Sequence, residues 1–467
     1  MKRNKYDVFY RLLKNQDFYL PVLLYLGAFL TRFSFLVLSD NFKGPQPMLN
    51  IITALHIFKD PGFMRNIYYQ QLPVFLYSLF AVIKIGKDQL LSGRLLSVFW
   101  GSMSIVAYYY LVSENFNKRV AVLSSLLLCF LPVHVISSVI TVPDIMGLFL
   151  LLSALFFLQK QKIVLSAIII TLATACTYVS WLFIFILPVL ILIQKKQGLG
   201  QRLLNAFWFF LFACLFVVFW IMVTNSIYKE YNLFYKNFFA AGFLCSYVFA
   251  YMQSILKITR LLFSFGMPFL FLLGLAGIYQ SVKMRKYYEF LFLIGSLILT
   301  LALGVFRQEI NILEQGMLLI LAFLIPFMVL GLDLVFRIIG LYKKRYSAVA
   351  IALICFSLLF SCMYARPYLP QKIKNLSSWI KFSVQDRNAK LFITKDKNPY
   401  YSAIIMLSGL PQGNFYYYKI NDIKLSESKW NKADYLIYSE ESRKSIRGDF
   451  KKVVKFDEYL VLSGMDK

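Results

Sequence analysis

Histidine and acidic residues are scarce in this chain of 467 residues. It has two histidines, and its 23 Asp and Glu stand against 50 Lys and Arg, for a formal net charge of +27. His56 and His134 alone are too few for a histidine-based metal centre. The six cysteines form no Cys-x-x-Cys pair and lie in or beside apolar runs, which favours small core residues over a disulfide or zinc framework.

Long apolar runs dominate the first 363 positions instead. Hydrophobic residues make up 59% of the chain, charged residues make up 16%, and the mean hydropathy is +0.63. Runs near twenty residues have the length that crosses a bilayer as helix, so we predict an all-α polytopic membrane bundle of about eleven helices. The predicted spans are 18–38, 90–112, 120–140, 144–158, 163–177, 179–194, 204–224, 261–280, 288–305, 316–337 and 346–363.

The basic residues cluster between these runs and predict the topology. In a soluble chain such a charge would suggest nucleic acid, but in loops between spans it indicates orientation and contact with anionic lipid, so no nucleic-acid partner is expected. With a cytoplasmic N-terminus, and with the short stretch 72–86 lying in the outer interface, every cytoplasmic loop is basic. These loops are 114–119, 159–162, 194–202, 283–286 and 342–345. If 72–86 crossed the membrane, they would all face outward, so we predict this orientation in a plasma (inner) membrane.

The C-terminal part of the chain differs in composition. Strand-like runs at 390–395, 433–439 and 453–463, and a helix-like run at 376–384, predict a small extracytoplasmic α/β domain over 364–467. The transmembrane domain is predicted over 1–363.

The first outer loop, 39–89, is predicted to hold two interfacial helices. The segment QPMLNIITALHIFK spaces its apolar residues for one face of a helix on the membrane surface, and 72–86 would be the second helix.

Two acids mark predicted outer membrane boundaries. Asp40 ends the first span and Asp144 opens the fourth, at VITVPDIMGLFLLL. Each has an ordinary structural interpretation, Asp40 in boundary water and Asp144 as an N-terminal helix charge. If the two meet, their oxygens suit a divalent cation, Mg²⁺ or Mn²⁺.

The stretch from Arg94 to Leu155 carries a resemblance. Four features occur in order along it. They are a helix with Arg-Leu-x-Ser-x-x-x-Gly, a basic hinge, a second helix with a late proline, and an Asp at the start of the next helix. Together they resemble the GT-C glycosyltransferases of family 39, the group of the protein O-mannosyltransferases and the lipid A aminoarabinose transferase. The resemblance implies an inverting transfer of a sugar from a polyprenyl-phosphate donor to an extracytoplasmic lipid, glycan or protein acceptor.

The same resemblance implies roles for residues of this chain. Asp40 would be the catalytic base or a metal ligand, and Asp144 its partner. A departing lipid phosphate needs cations, and we expect them among Arg307, Arg94, Lys43 and Arg65. For His134, which stands where the family often has this residue, a neutral side chain bonded inside the bundle is favoured.

The sequence also departs from the family pattern. The acid that opens the first interfacial helix in the family corresponds here to Gln46-Pro47-Met48, and Asp40 lies about seven residues earlier. One alternative is therefore a catalytically degenerate subunit that binds polyprenyl lipid or assembles with an active partner. A transporter is the other, disfavoured because few charges lie in span centres.

Overall fold

A computed structural model of the chain describes fifteen ranges and positions. They are 16–38, 46–56, 72–86, 88–194, 198–228, 268–284, 286–302, 310–339, 376–377, 380, 391–394, 415–418, 435–439, 450–456 and 459–464. The chain divides into two compact units. Unit 1 comprises Met1–Leu38 and Ile57–Arg366, and unit 2 comprises Ser39–His56 and Pro367–Lys467.

Unit 1 is helical throughout its described residues. Its helices are α1 (Gln16–Leu38), α3 (Pro73–Ile85), α4 (Gln89–Asn115), α5 (Lys118–Phe130), α6 (Pro132–Val139), α7 (Asp144–Gln159), α8 (Ile163–Thr174), α9 (Phe183–Ile193), α10 (Leu199–Tyr228), α11 (Pro268–Lys283), α12 (Tyr288–Ala302) and α13 (Ile310–Ile339); α2 belongs to unit 2. Within the described ranges, four of these helices are long and apolar enough to cross a membrane, or five spans if α5 and α6 count as one. The mostly helical membrane-type fold is confirmed. The number of eleven spans stays a prediction, and the predicted span 346–363 lies outside the described residues.

The predicted span 120–140 is not one straight helix. It consists of α5 and α6, which meet at Leu131 and bend by 59°. Pro132 explains the break, because proline has no amide hydrogen to donate and clashes with the preceding turn of a helix. Alternation of apolar residues could not show this bend, since both halves are equally hydrophobic.

The stretch 163–194 is broken as predicted. Helix α8 ends at Thr174, a short 3-10 helix covers Tyr178–Leu182, and α9 follows to Ile193. The Trp181 indole donates a hydrogen bond to the Thr174 carbonyl, with 2.8 Å from Nε1 to the oxygen. This bond satisfies a carbonyl at the end of α8, as irregular backbone inside an apolar bundle requires.

Helices α11 and α13 touch through their backbones. A Cβ added at Gly277 would lie 1.8 Å from the Phe327 carbonyl oxygen, and one added at Gly331 would lie 1.9 Å from that of Leu273. No side chain larger than hydrogen fits at these crossing points. Small residues at such positions are the usual device for close helix packing in membranes.

One end of unit 1 gathers the predicted basic loops, and we call it the basic-loop end. Lys160 forms an ion pair with Glu114, and Gln161 donates to Gln194 with 3.1 Å between Nε2 and Oε1. Phe116 stacks on Tyr287, with 4.2 Å between ring centroids. Three of the five loops therefore meet, and Tyr287, which stacks on the first of them, directly follows the fourth loop, 283–286. The fifth loop, 342–345, lies outside the described residues. The side of the membrane on which they meet stays a prediction.

Unit 2 contains α2 (Gln46–His56) and five strands: β1 (Leu391–Thr394), β2 (Phe415–Tyr418), β3 (Tyr435–Ser439), β4 (Phe450–Phe456) and β5 (Tyr459–Gly464). The sheet order is β2-β1-β3-β5-β4. Strands β2, β1 and β3 run parallel, whereas β5 is antiparallel to β3 and to β4. The predicted single run 453–463 is in fact a pair of strands. The extracytoplasmic placement of this unit, and the boundary at 363, stay predictions.

Helix α2 forms where the first interfacial helix is predicted, but its polar face is not exposed. Asn50 and Thr53 are buried, as are Ile51 and Ala54. A helix lying on a membrane surface would turn Asn50 and Thr53 to water. Asn50 and Thr53 are instead turned into the protein, and the position of α2 at the membrane surface stays a prediction.

Candidate active site at the Asp144 end

The end of unit 1 opposite the basic loops is built from helix breaks, and we call it the Asp144 end. Helix α7 begins there with Asp144, and the amide of Val74 at the start of α3 donates to the Ala175 carbonyl after α8 at 3.0 Å. The Cys176 thiol lies 3.6 Å from the Pro143 carbonyl oxygen. Short contacts thus join α3, the start of α7 and the end of α8.

Asp144 lies half-buried in the first turn of α7. The unsatisfied amides and the dipole at a helix N-terminus favour a negative charge there. The carboxylate lines a small, partly open cleft. The other lining residues are Gly147, Leu148, Leu151, Thr177, Val179, Ser180, Leu318 and Leu319.

Two hydroxyl groups share this cleft with the carboxylate. Thr177 and Ser180 flank the start of the 3-10 helix, and their side-chain oxygens are 2.7 Å apart. Gly147 allows Thr177 to approach α7, because a Cβ there would lie 2.5 Å from the Thr177 methyl group. Leucines form the rest of the wall, so the cleft joins a small polar corner to an apolar surface. Sequence reasoning located the break between two apolar runs but missed these hydroxyls.

Arg94 is brought to the same end of the bundle as Asp144. Its Nε donates to the carbonyl of Val139, the last residue of α6, at 2.9 Å. Only the residues 140–143 separate that carbonyl from Asp144. Arg94 therefore holds the backbone that leads to the candidate acid, and its role as a phosphate ligand stays a prediction.

A second polar group lies inside the bundle, around Arg32 of α1. Arg32 and His134 are both fully buried, and 2.7 Å separates Arg32 Nη2 from His134 Nδ1. Ser104 Oγ lies 2.9 Å from the other ring nitrogen, Nε2. The interpretation of His134 as a histidine bonded inside the bundle is confirmed. Arg32 was missed, and its signal in the sequence is a lone arginine within an apolar span.

The remaining predicted site residues lie outside the described residues: Asp40, Lys43, Arg65 and Arg307. The structure therefore does not test whether Asp40 meets Asp144. Within the described part of the chain, no three of the residue types His, Cys, Asp and Glu group together in a way that could hold a metal ion.

The fold can now be compared with known proteins. Residues 70–228 match the family model of the dolichyl-phosphate-mannose-protein mannosyltransferases. No protein of curated function matches the chain by sequence. The matched range includes α3 to α10, and hence Asp144, Thr177 and Ser180. The sequence of this range thus resembles the GT-C glycosyltransferase class.

Solved structures of the same class share this architecture. ArnT from Cupriavidus metallidurans superposes with a TM-score of 0.64 and 12% identity, covering 95% of this chain and 97% of that one. The oligosaccharyltransferase from Archaeoglobus fulgidus, in a complex with Zn and sulfate, gives 0.56 and 15% identity, covering 90% of this chain and 68% of that one. The mycobacterial arabinofuranosyltransferase AftD gives 0.50 and 12% identity, covering 96% of this chain and 41% of that one. The resemblance to GT-C glycosyltransferases is confirmed.

Proposed function

We propose that the protein transfers a sugar from a polyprenyl-phosphate donor to an acceptor outside the cytoplasm, with Asp144 in the reacting site. The observation that carries this proposal is the half-buried carboxylate at the first turn of α7, open to a cleft with two hydroxyls. A carboxylate in this setting is anionic and can accept a proton from an attacking hydroxyl group. Asp40 would act with it as base or as orienting group.

The neighbours and the chemistry of the leaving group support this donor class. ArnT was solved bound to undecaprenyl phosphate, and the A. fulgidus enzyme with a dolichol-phosphate and an inhibitory peptide. Loss of a sugar leaves a lipid phosphate whose growing negative charge needs cations. Arg307, Arg94, Lys43 and Arg65 are the proposed cations, with arginine preferred because its fork matches phosphate. Attack on the opposite face of the sugar would invert its configuration.

A divalent cation fits the residue types of the cleft. The Asp144 carboxylate and the Thr177 and Ser180 hydroxyls are oxygen donors, which Mg²⁺ and Mn²⁺ prefer over nitrogen or sulfur. Asp144 and Asp40 would hold the ion. It would supply positive charge to the departing phosphate.

Replacing Asp144 tests the proposal. Asp144→Asn keeps the shape and removes the charge and the basicity, so transfer from polyprenyl-phosphate-linked sugars in proteoliposomes should fall about 100-fold or more. Asp88→Asn is the matched control, because Asp88 is an exposed acid whose side chain caps α4 through a 3.0 Å bond to the Leu91 amide. Asparagine caps helices as well as aspartate, so this variant should keep full transfer.

The donor panel should contain hexosyl and pentosyl polyprenyl phosphates. Unchanged transfer in Asp144→Asn would remove the mechanism. Asp40→Asn in the same assay separates a chain that uses both acids from one that uses Asp144 alone.

One observation favours a second candidate, a degenerate subunit that binds polyprenyl lipid without transfer. Helix α2 begins at Gln46 and has no acid in its first turn, the place where the resemblance implies one. In that case wild-type protein would bind undecaprenyl phosphate in a detergent titration yet transfer none of the sugars of the panel.

A further inference from the structure

We infer that Arg32 is a positioning residue, which fixes the short helix α6 and through it the place of Asp144. This inference rests on the proposed role of Asp144 but makes a structural claim of its own. Arg32 touches both sides of the α5–α6 break and forms no ion pair with an acidic side chain of the described residues.

The Arg32 guanidinium bridges the break at Leu131. Nη2 donates to the Cys129 carbonyl at 3.3 Å, at the end of α5, and to His134 Nδ1 at 2.7 Å, in the first turn of α6. Nη1 donates to the Ala28 carbonyl of α1 at 2.9 Å. The carbonyls at the end of α5 carry partial negative charge, which a cation stabilises. One side chain thus joins α1, α5 and α6.

The same contacts fix the protonation of His134. An arginine side chain can only donate, so His134 Nδ1 must accept and Nε2 must carry the proton. Nε2 then donates to Ser104 Oγ, which in turn donates to the Gly101 carbonyl at 2.9 Å. Helix α4 is therefore tied into the same network. Gly101 provides the space, since a Cβ there would lie 3.2 Å from Arg32 Nε and 2.3 Å from Ser138 Oγ.

Helix α6 transmits this constraint to the active-site acid. It has eight residues, its first turn is held by Arg32, and the carbonyl of its last residue, Val139, is held by Arg94. The turn after α6 is closed by a 3.0 Å bond from the Val142 amide to the Ile140 carbonyl. Pro143 and Asp144 come directly after this turn. Without Arg32, α6 could swing about the break. Asp144 would then move, and displacement of a reacting group by about 1 Å can slow catalysis about 100-fold.

Cys176 offers a readout that needs no substrate. It is 2% exposed, and its thiol contacts the Pro143 carbonyl. If α6 loosens, Pro143 leaves Cys176 and the thiol becomes open to reagent. The experiment treats full-length protein in detergent with N-ethylmaleimide and follows the Cys176 peptide by mass spectrometry, so that the other five cysteines do not interfere.

Arg32→Met keeps the length of the side chain and removes every hydrogen bond. We expect Cys176 to label about tenfold faster than in wild type, because the free energy of local opening becomes smaller. The kcat for sugar transfer should fall about 100-fold with little change in the donor KM, since donor binding is not altered. Arg32→Lys keeps the charge and loses the forked guanidinium. It should therefore restore part of the Cys176 protection and part of the kcat.

Arg202→Met is the matched control. Arg202 also donates to a carbonyl near a helix end, with 2.6 Å from Nη1 to Leu192 O, and its Nε also makes no hydrogen bond within the described residues. Its partner Leu192 lies two residues before Gln194, at the basic-loop end. Replacement of Arg202 should leave Cys176 protected.

Ser104→Ala is a second test of the inference, to be used if Arg32→Met does not fold. It removes one link of the network and should raise Cys176 labelling about fivefold. Wild-type labelling in Ser104→Ala, or in a folded Arg32→Met, would overturn the inference. Fast labelling in Arg32→Met together with full transfer in Asp144→Asn would instead contradict the proposed function and leave the structural claim standing.

Discussion

The two ends of unit 1 hold their polar groups in different ways. At the basic-loop end, partly exposed charged side chains meet one another, as Lys160 meets Glu114. At the Asp144 end, side chains mostly meet backbone, as Arg94 meets the Val139 carbonyl and Trp181 meets the Thr174 carbonyl. Side-chain pairs in water contribute little to stability, whereas a buried carbonyl left without a partner is destabilising.

The difference shows where the fold is tightly specified. Helices run unbroken to the basic-loop end, where water can satisfy their termini. The break between α5 and α6 and the break after α8 both lead to the Asp144 end, where neighbouring residues replace the missing helical bonds. Substitutions at the Asp144 end should therefore affect transfer and folding together, and those at the basic-loop end should affect neither strongly.

Among the substitutions that test this difference between the two ends, the largest effect is expected at Gly147. Gly147→Ala places a methyl group 2.5 Å from the Thr177 methyl carbon and 2.8 Å from its hydroxyl oxygen, so Thr177 must move and the polar corner of the cleft must change. We expect transfer to fall about 10- to 100-fold and the free energy of unfolding to fall by about 1–3 kcal/mol. Proteoliposome transfer and thermal unfolding in detergent measure the two effects.

Gly295→Ala is the control for that variant. Gly295 lies in α12, and a Cβ there would meet nothing within 4 Å. Alanine is favoured over glycine in a helix by about 0.5–1 kcal/mol, so this variant should be equally or more stable and fully active. Equal behaviour of the two alanine variants would contradict the close contact drawn between α7 and Thr177.

A similar effect on the free energy of unfolding is expected from Arg94→Met. The Val139 carbonyl loses its donor, and we expect a loss of about 1–3 kcal/mol in the free energy of unfolding. Arg337→Met is the control, because Arg337 is 70% exposed and pairs with Asp333 one turn earlier in α13. Such a pair contributes about 0.5 kcal/mol. Similar unfolding midpoints for both variants would show that Arg94 does not hold α6.

The smallest effect is expected from Glu114→Gln. The Lys160–Glu114 pair joins two basic loops, but these side chains are 43% and 32% exposed. Solvent screens such pairs, so the free energy of unfolding should change by less than about 1 kcal/mol and transfer should not change. A loss in the free energy of unfolding as large as that for Gly147→Ala would contradict the proposed difference between the basic-loop end and the Asp144 end.

Much of the helical fold could be predicted from the sequence, because apolar runs and basic loops are local features. Helices α4, α7, α12 and α13 lie within a few residues of the predicted spans, and the break in 163–194 follows from its length. The bend at Leu131 could have been expected from Pro132, but its size of 59° could not be read from the sequence. The burial of Asn50 and Thr53 in α2 was not predicted, because a helical pattern alone does not reveal which polar side chains are covered.

The site was only partly predictable. Asp144 could be predicted, because an acid at the start of an apolar helix is a local pattern that spans about four residues. Thr177 and Ser180 join it through the packing of α7 against the break after α8, and no spacing in the sequence encodes that contact. Arg32 escapes a hydropathy window because one charge hardly lowers the average over twenty apolar residues.

The backbone contact of Gly277 and Gly331 bears on how the cleft can open. Helix α13 supplies Leu318 and Leu319 to the cleft wall, and it is locked to α11 at a crossing with no room for sliding side chains. If the cleft widens at the wall formed by Leu318 and Leu319, we therefore expect α11 and α13 to move together as one rigid pair. Entry of a bulky lipid-linked sugar from that side would be a two-helix movement, not the rotation of a side chain.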